Sequence, residues 1–241
     1  MKPIVADTHT HTLASGHAYS TIMENVHWAA QKGLSFLCIT EHAPEMHDAP
    51  QSSFFRNLYS IPDEIEGVKV LKGAECNIMD FDGSLDLPQK LLRRLDWVIA
   101  SYHGPICMPG TLEQNTQGWM RIAENPDVDV IGHCGDGRYV FDLEKAIKQF
   151  KAYDKIVEIN AHSFTVRPGA HYNCREIARC CAKYQVPVVV SSDAHFCMDV
   201  GNVAASVAML EEIGFPEELV LNADYDRFLE VVRKKTGRFT V

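Results

Sequence analysis

Nine side chains that suit a borderline divalent cation recur in a fixed order: His9, His11, His17, His42, Glu75, His103, His133, Asp193 and His195. The first pair sits in Asp7-Thr8-His9-Thr10-His11 and the last in Ser192-Asp193-Ala194-His195. Side chains at i and i+2 of an extended strand point the same way. His9 and His11 therefore offer two imidazoles from one backbone, and Asp193 with His195 would do the same if that strand runs far enough. A carboxylate from another strand can complete the ligand set. Zinc favours this mixture of imidazole nitrogen and carboxylate oxygen, with manganese and iron as alternatives.

Such residues meet only if the fold brings distant segments together. Short β-branched runs at 4–6, 36–40, 69–74, 97–101, 128–132, 156–160 and 187–191 alternate with amphipathic stretches, and each run leads into one of the residues above or into Glu158 and Asn160. Thr21 and Glu24 form a capping box before Ile22, Val26, Ala29 and Ala30, and Gly33 is a stop signal. Asn173 and Glu176 repeat the box before Ile177, Cys181 and Tyr184. Val203, Val207, Leu210 and Ile213 form a further helical face, and 224–235 a closing helix. Seven strand–helix units imply parallel strands, because parallel neighbours need crossovers. The expected fold class is α/β: a distorted seven-stranded (β/α)7 TIM-like barrel formed by one domain over 1–241, its site at the C-terminal mouth. An open doubly wound sheet is the rival arrangement.

Other residues carry weaker signals. A lone loop histidine is ordinarily solvated or hydrogen-bonded, which is the reading for His27 and His47. His162 and His171 follow the sixth strand and could reach a substrate, but nothing in the sequence pairs them. Cys76 and Cys134 are one residue out of phase with their neighbouring ligands, and with Cys197 they read as small buried hydrophobes. The chain has no G-x-S-x-G elbow and no phosphate-binding glycine loop. Its 241 residues carry a formal net charge of −9, which argues against a phosphate-backbone partner. No apolar run has the length of a membrane span. The eight cysteines form no C-x-x-C pair; with no export signal at the N-terminus, the expectation is reduced thiols and a cytoplasmic location.

The ordered set resembles the motifs of the PHP (polymerase and histidinol phosphatase) superfamily, in particular its small stand-alone YcdX-like phosphatases, from Asp7 to at least His195. The resemblance implies three divalent metals per chain, zinc first among them. It assigns His9, His11, Glu75 and Asp193 to one metal, Glu75, His103 and His133 to a second, and His17, His42 and His195 to the third, with Glu75 bridging. It implies a phosphomonoester hydrolase acting on a small phosphorylated metabolite, with a metal-bridging hydroxide as nucleophile, and a small homo-oligomer such as a trimer. The catalytic set is then His9, His11, Glu75, His103, Asp193 and His195. Arg138 and Arg167 are candidate phosphate clamps, with Asp7, Glu158 and Asn160 orienting ligands from behind.

Three other readings remain open on sequence. A PHP-type exonuclease or phosphodiesterase would be separated by degradation of single-stranded DNA. An amidohydrolase-like metal hydrolase also begins with a His-x-His pair, but it places a bridging lysine on strand four, where this chain has Ser101-Tyr102-His103. A non-catalytic metal-binding protein would hold its ions in closed coordination.

Overall fold

The computed structural model describes residues 1–239. Strands β1 (Ala6–Asp7) and β2 (Phe36–Ile39) precede a hairpin of β3 (Glu64–Ile65) and β4 (Val68–Asn77). They are followed by β5 (Trp97–Ser101), β6 (Val130–Ile131), β7 (Ile156–Asn160) and β8 (Val188–Ser191). All neighbours in the order β1-β2-β4-β5-β6-β7-β8 are parallel, and only β3 runs antiparallel, against β4. The result is a nearly closed barrel of seven parallel strands, as the alternation in the sequence implies. The short hairpin strand was not anticipated.

Helices fill the crossovers, namely α1 (Ile22–Gln31), α2 (Ser52–Asn57), α3 (Gln89–Leu92), α4 (Leu112–Glu124), α5 (Leu143–Ala152), α6 (Ser163–Val166) and α7 (Ala170–Tyr184), and α8 (Ala204–Glu212) and α9 (Tyr225–Thr236) follow the last strand. The box at α1 forms as expected: Thr21 Oγ1 accepts from Glu24 N at 3.2 Å, and Thr21 N donates to the Glu24 carboxylate at 2.7 Å. The second box does not form. α7 starts four residues earlier, after Gly169 in the left-handed region (φ 70°), and Asn173 lies inside the helix with its amide donating to Gly135 O.

Strand parity sorts the core. The first inward residues, Phe36, Trp97 and Ile156, cluster with Leu71, Ile99, Val130 and Val189 and with Phe228, Leu229 and Val232 of α9. Phe228 meets Phe36 and Trp97 at ring-centroid distances of 5.0 and 5.5 Å, so α9 plugs the end where the strands begin. Further along the same inward rows come Glu75, Ser101, Glu158, Asn160 and Ser191, all buried. The barrel is thus apolar at the bottom and polar at its C-terminal mouth.

No ladder joins β1 to β8. Two side chains close that seam instead. Asn222 donates to Ala6 O (2.8 Å) and Val190 O (2.6 Å) and accepts from Val190 N (3.1 Å). Asp7 accepts from Ser192 N (3.0 Å), the Ser192 hydroxyl and Gly201 N (2.7 Å). Asn222→Leu strands several buried backbone groups at once, and we expect it to lower unfolding stability by about 3 kcal/mol, measured by urea denaturation.

Candidate metal centre

The C-terminal ends of the strands bring all nine predicted residues to one place. Glu75 is the hub. Its Oε2 lies 2.7 Å from His42 Nδ1, 3.3 Å from His9 Nε2 and 3.6 Å from His11 Nε2. Its Oε1 lies 2.8 Å from His133 Nε2 and 3.3 Å from His103 Nε2. His9 Nε2 and His11 Nε2 are 3.1 Å apart, and His11 Nε2 is 3.1 Å from Asp193 Oδ1. His17 Nε2 faces His42 Nε2 at 3.2 Å, and the His195 ring stacks on His17 and leans on His11. Three subsets have ligand atoms mutually within 4.8 Å: His11, His42 and His195; His9, His11 and Asp193; His42, Glu75 and His103. His11 and His42 each belong to two of these subsets, so the distances do not divide the residues as the family's assignment does.

The backbone supplies this geometry in two ways. Thr10 pairs with Ala194 as an isolated parallel bridge, which holds His9 and His11 on the same side beyond the end of β1. β8, by contrast, stops at Ser191. Asp193 and His195 reach the site through a turn in which Asp193 adopts φ 54°, not along an extended strand. His133 also has a positive φ, 26°. Left-handed conformations at residues other than glycine are costly and cluster at functional sites.

Hydrogen bonds behind the ring fix how each imidazole faces. His9 Nδ1 donates to Glu158 Oε1 (2.7 Å), which also accepts from Ser191 Oγ (2.6 Å). His103 Nδ1 donates to Asn77 Oδ1 (2.7 Å), and His195 Nδ1 to the Asp193 carbonyl (2.9 Å). Ser15 Oγ gives its proton to Glu41 Oε2 (2.7 Å) and so accepts from His11 Nδ1 (3.4 Å). In these four rings Nδ1 is the donor, and the Nε2 lone pair is turned inward. The Nε2 atoms of His9 and His11 then face each other at 3.1 Å, both turned into the same space. His42 Nδ1, Glu75 Oε2 and His103 Nε2 are buried without any hydrogen-bond partner, although His42 Nδ1 and Glu75 Oε2 are only 2.7 Å apart. Converging lone pairs and orphaned buried donor atoms fit a shared cation and do not fit a hydrogen-bonded polar core.

With the exception of His9, the protonation states agree. Burial, reinforced by neighbouring imidazoles, lowers the pKa of His11 well below the ordinary value and lowers those of His17 and His195. Burial takes His103 down to about 4 against the pull of Glu75. Burial works against the charges of Glu75 and Asp193, but His9 and other imidazoles outweigh it and hold both carboxyls well below their usual range. Glu158 is lowered in the same way. His9 goes the other way: burial opposes its charge, and the Asp193, Glu158 and Glu75 carboxylates prevail. Neutral imidazoles beside ionised carboxylates are the forms a metal requires, so an ion entering this site would have to displace the His9 proton.

The remaining predicted residues divide. Arg167 comes to the rim, its Nη1 2.9 Å from Ser163 Oγ and 3.4 Å from Asp193 Oδ2. Asn160 donates to Asp193 Oδ2 at 3.0 Å. Arg138 is half exposed and forked onto Asp136. Asp7 meets the nine only through the backbone N–H of His9, and it holds Ser192 beside Asp193. His162 stacks at 5.9 Å on His195, whereas His171 packs on Phe164 away from the cluster. Cys76, Cys134 and Cys197 are buried free thiols. Sequence reasoning missed Asn77, Ser15, Glu41 and Asp86. Asp86 accepts from Asn77 N (2.8 Å) and Nδ2 (2.5 Å), which turns the amide oxygen toward His103. Only Asn77 left a signal, since it lies two residues past Glu75 on the same strand.

A family model described as "PHP domain" matches residues 7–233. A probable phosphatase of Caldanaerobacter subterraneus subsp. tengcongensis is 47% identical over 237 residues, covering 98% of this chain and 93% of that protein. A probable phosphatase of Acetivibrio thermocellus is 44% identical, covering 97% of each. Among solved structures, histidinol phosphate phosphatase from Lactococcus lactis, complexed with zinc, L-histidinol and phosphate, superposes with a TM-score of 0.62 at 15% identity, over 88% of this chain and 94% of that one. A probable 2-pyrone-4,6-dicarboxylic acid hydrolase from Acinetobacter baumannii shares the fold at a TM-score of 0.53. With one family model spanning the barrel from Asp7 to Arg233, and relatives matched along nearly their whole length, the chain belongs to the PHP domain family.

Proposed function

We propose that the chain is a metal-dependent phosphomonoesterase acting on a small phosphorylated metabolite. The observation that carries this reading is the ring of His9, His11, His42, His103 and His133 round one carboxylate, each with a ring nitrogen within 3.6 Å of it. The family, the relatives named as phosphatases and the structural neighbour with zinc and phosphate support it. His9, His11, His17, His42, Glu75, His103, His133, Asp193 and His195 would hold a cluster of three divalent ions, with zinc favoured and manganese or iron as alternatives. Bound there, the ions would lower the pKa of a water toward neutrality and neutralise charge on the transferring phosphoryl group.

The protein's own residues supply orientation. Glu158, Asn77 and Ser15 fix the tautomers of His9, His103 and His11, and Glu75 is placed to serve several ions at once. Arg167, held against Ser163 and Asp193 at the rim, is placed to take a phosphate oxygen; Arg138 would have to leave Asp136 to do so. The test is hydrolysis of an aryl phosphate by protein loaded with zinc, manganese or iron, beside His9→Ala. Turnover in the loaded protein and its loss in the variant are expected; equal rates, or none with any metal, overturn the reading.

The backing residues yield a separate prediction. Asn77→Leu removes the acceptor that keeps the His103 Nδ1 proton away from the site. We expect about 10- to 100-fold weaker metal binding, measured by competition with a chromogenic chelator, with unchanged affinity counting against the assigned role.

A further inference from the structure

A cleft of about 380 Å³ opens beside the metal centre, on the wall formed by Asp193 and His195. It shares Asp193 and His195 with the cluster, so on the reading proposed above it is placed to receive the group that leaves with the ester oxygen. Its outer lining includes Tyr19 and Phe196, large aromatic side chains that are 72% and 43% exposed. Both are held by the site's own backbone: Tyr19 N donates to His195 O at 2.8 Å, and Phe196 directly follows His195. Aromatic faces kept open at the mouth of a cleft suit a flat apolar group.

The cleft's charge points the same way. Asp193 is committed to His11, Asn160 and Arg167. The other acid is Asp199, exposed, with its side-chain carboxylate in no hydrogen bond or ion pair among the described residues. No lysine or arginine lines the cleft. Of the neighbouring bases, Arg167 is held by Ser163 and Asp193 behind the cleft wall, and Lys32 spends its ammonium on the carbonyls of Met198 and Val200 (2.7 and 2.5 Å); His162 and His195 are the lining histidines. A second phosphate or a carboxylate on the leaving group would therefore meet the Asp199 carboxylate with no lysine or arginine in the lining to pair with. A neutral group would fit, and a cationic one would gain an ion pair.

We infer that this cleft selects aromatic monophosphates whose leaving group carries no second negative charge, with Asp199 as the specificity-determining residue. The enzyme would thus act on singly phosphorylated aromatic compounds and discriminate against bisphosphates and phosphorylated acids.

Three aryl phosphates with the same phenolic chemistry test it: 4-ethylphenyl phosphate, its ammonium analogue O-phosphotyramine, and 4-(2-carboxyethyl)phenyl phosphate. Because the phenols are closely matched as leaving groups, differences in kcat/KM report the distal charge. The metal-loaded wild type should favour the ammonium ester over the carboxylate ester by about fivefold, the upper end for a solvent-exposed charge contact. Asp199→Asn should bring that ratio toward one, and Asp199→Lys should invert it. A wild-type ratio at or below one, or a ratio that both variants leave unchanged, overturns the inference while leaving the phosphatase reading intact. Failure to turn over any of the three esters overturns the phosphatase reading, and the inference with it.

Discussion

Glu75→Gln will lower kcat/KM for an aryl phosphate by about three orders of magnitude or more, the scale expected when the charge that organises a multi-metal site is removed, and will leave the barrel folded. Glu75 reaches five imidazoles with two oxygens, at 2.7 to 3.6 Å. Glutamine keeps the volume but offers one neutral oxygen and an N–H₂ that cannot ligate a cation, in place of two charged oxygens. The variant loses both the bridging charge and the acceptor geometry. Elemental analysis should show fewer ions per chain than the wild type, and the thermal melt should remain cooperative. Activity within tenfold of wild type, at full metal content, would remove Glu75 from the centre of the site.

What the sequence made legible is what depends on local period. Inward parity placed His9 beside His11, and the alternation of strand and helix gathered Glu75, His103, His133 and Asp193 at one mouth. The closing helix was readable from its apolar face, but its role as a plug under Phe36 and Trp97 was not, because that depends on where the chain returns. Glu41 is completely buried and accepts from Thr12 and Ser15, yet it sits next to His42 with the wrong parity for the mouth. The loop after β1 folds over it, and no periodicity encodes a loop's path. Asn77 and Asp86 form a support for His103 that depends on the turn between them. Asp193 would share a face with His195 only if β8 ran that far; the strand stops at Ser191 and Asp193 reaches the site through a left-handed turn, which a period of two cannot describe.

The same buried imidazoles make a prediction about acid. A histidine whose pKa is lowered on folding binds fewer protons folded than unfolded, so its contribution to stability declines as pH falls through the unfolded value near 6.5. His11, His103 and His195 all have this sign. For His103, a fall from 6.5 to about 4 corresponds to a loss on the order of 3 kcal/mol by pH 4. His9 does not offset this: its raised pKa gives a contribution that is fully present below 6.5 and lost only on going alkaline. Glu75, Asp193 and Glu158 follow at still lower pH, because their lowered pKa values withdraw stability only as the unfolded carboxylates begin to protonate. Protein stripped by a chelator should therefore lose thermal stability steadily between pH 6.5 and 4. Adding back zinc at neutral pH should raise Tm, because a ligand that binds only the folded state stabilises it by mass action. The rise should shrink as pH drops, since protons and cations compete for the same lone pairs. A Tm indifferent to both chelator and zinc would mean that the convergent lone pairs hold no cation, and the hydrolytic assignment would lose its physical basis.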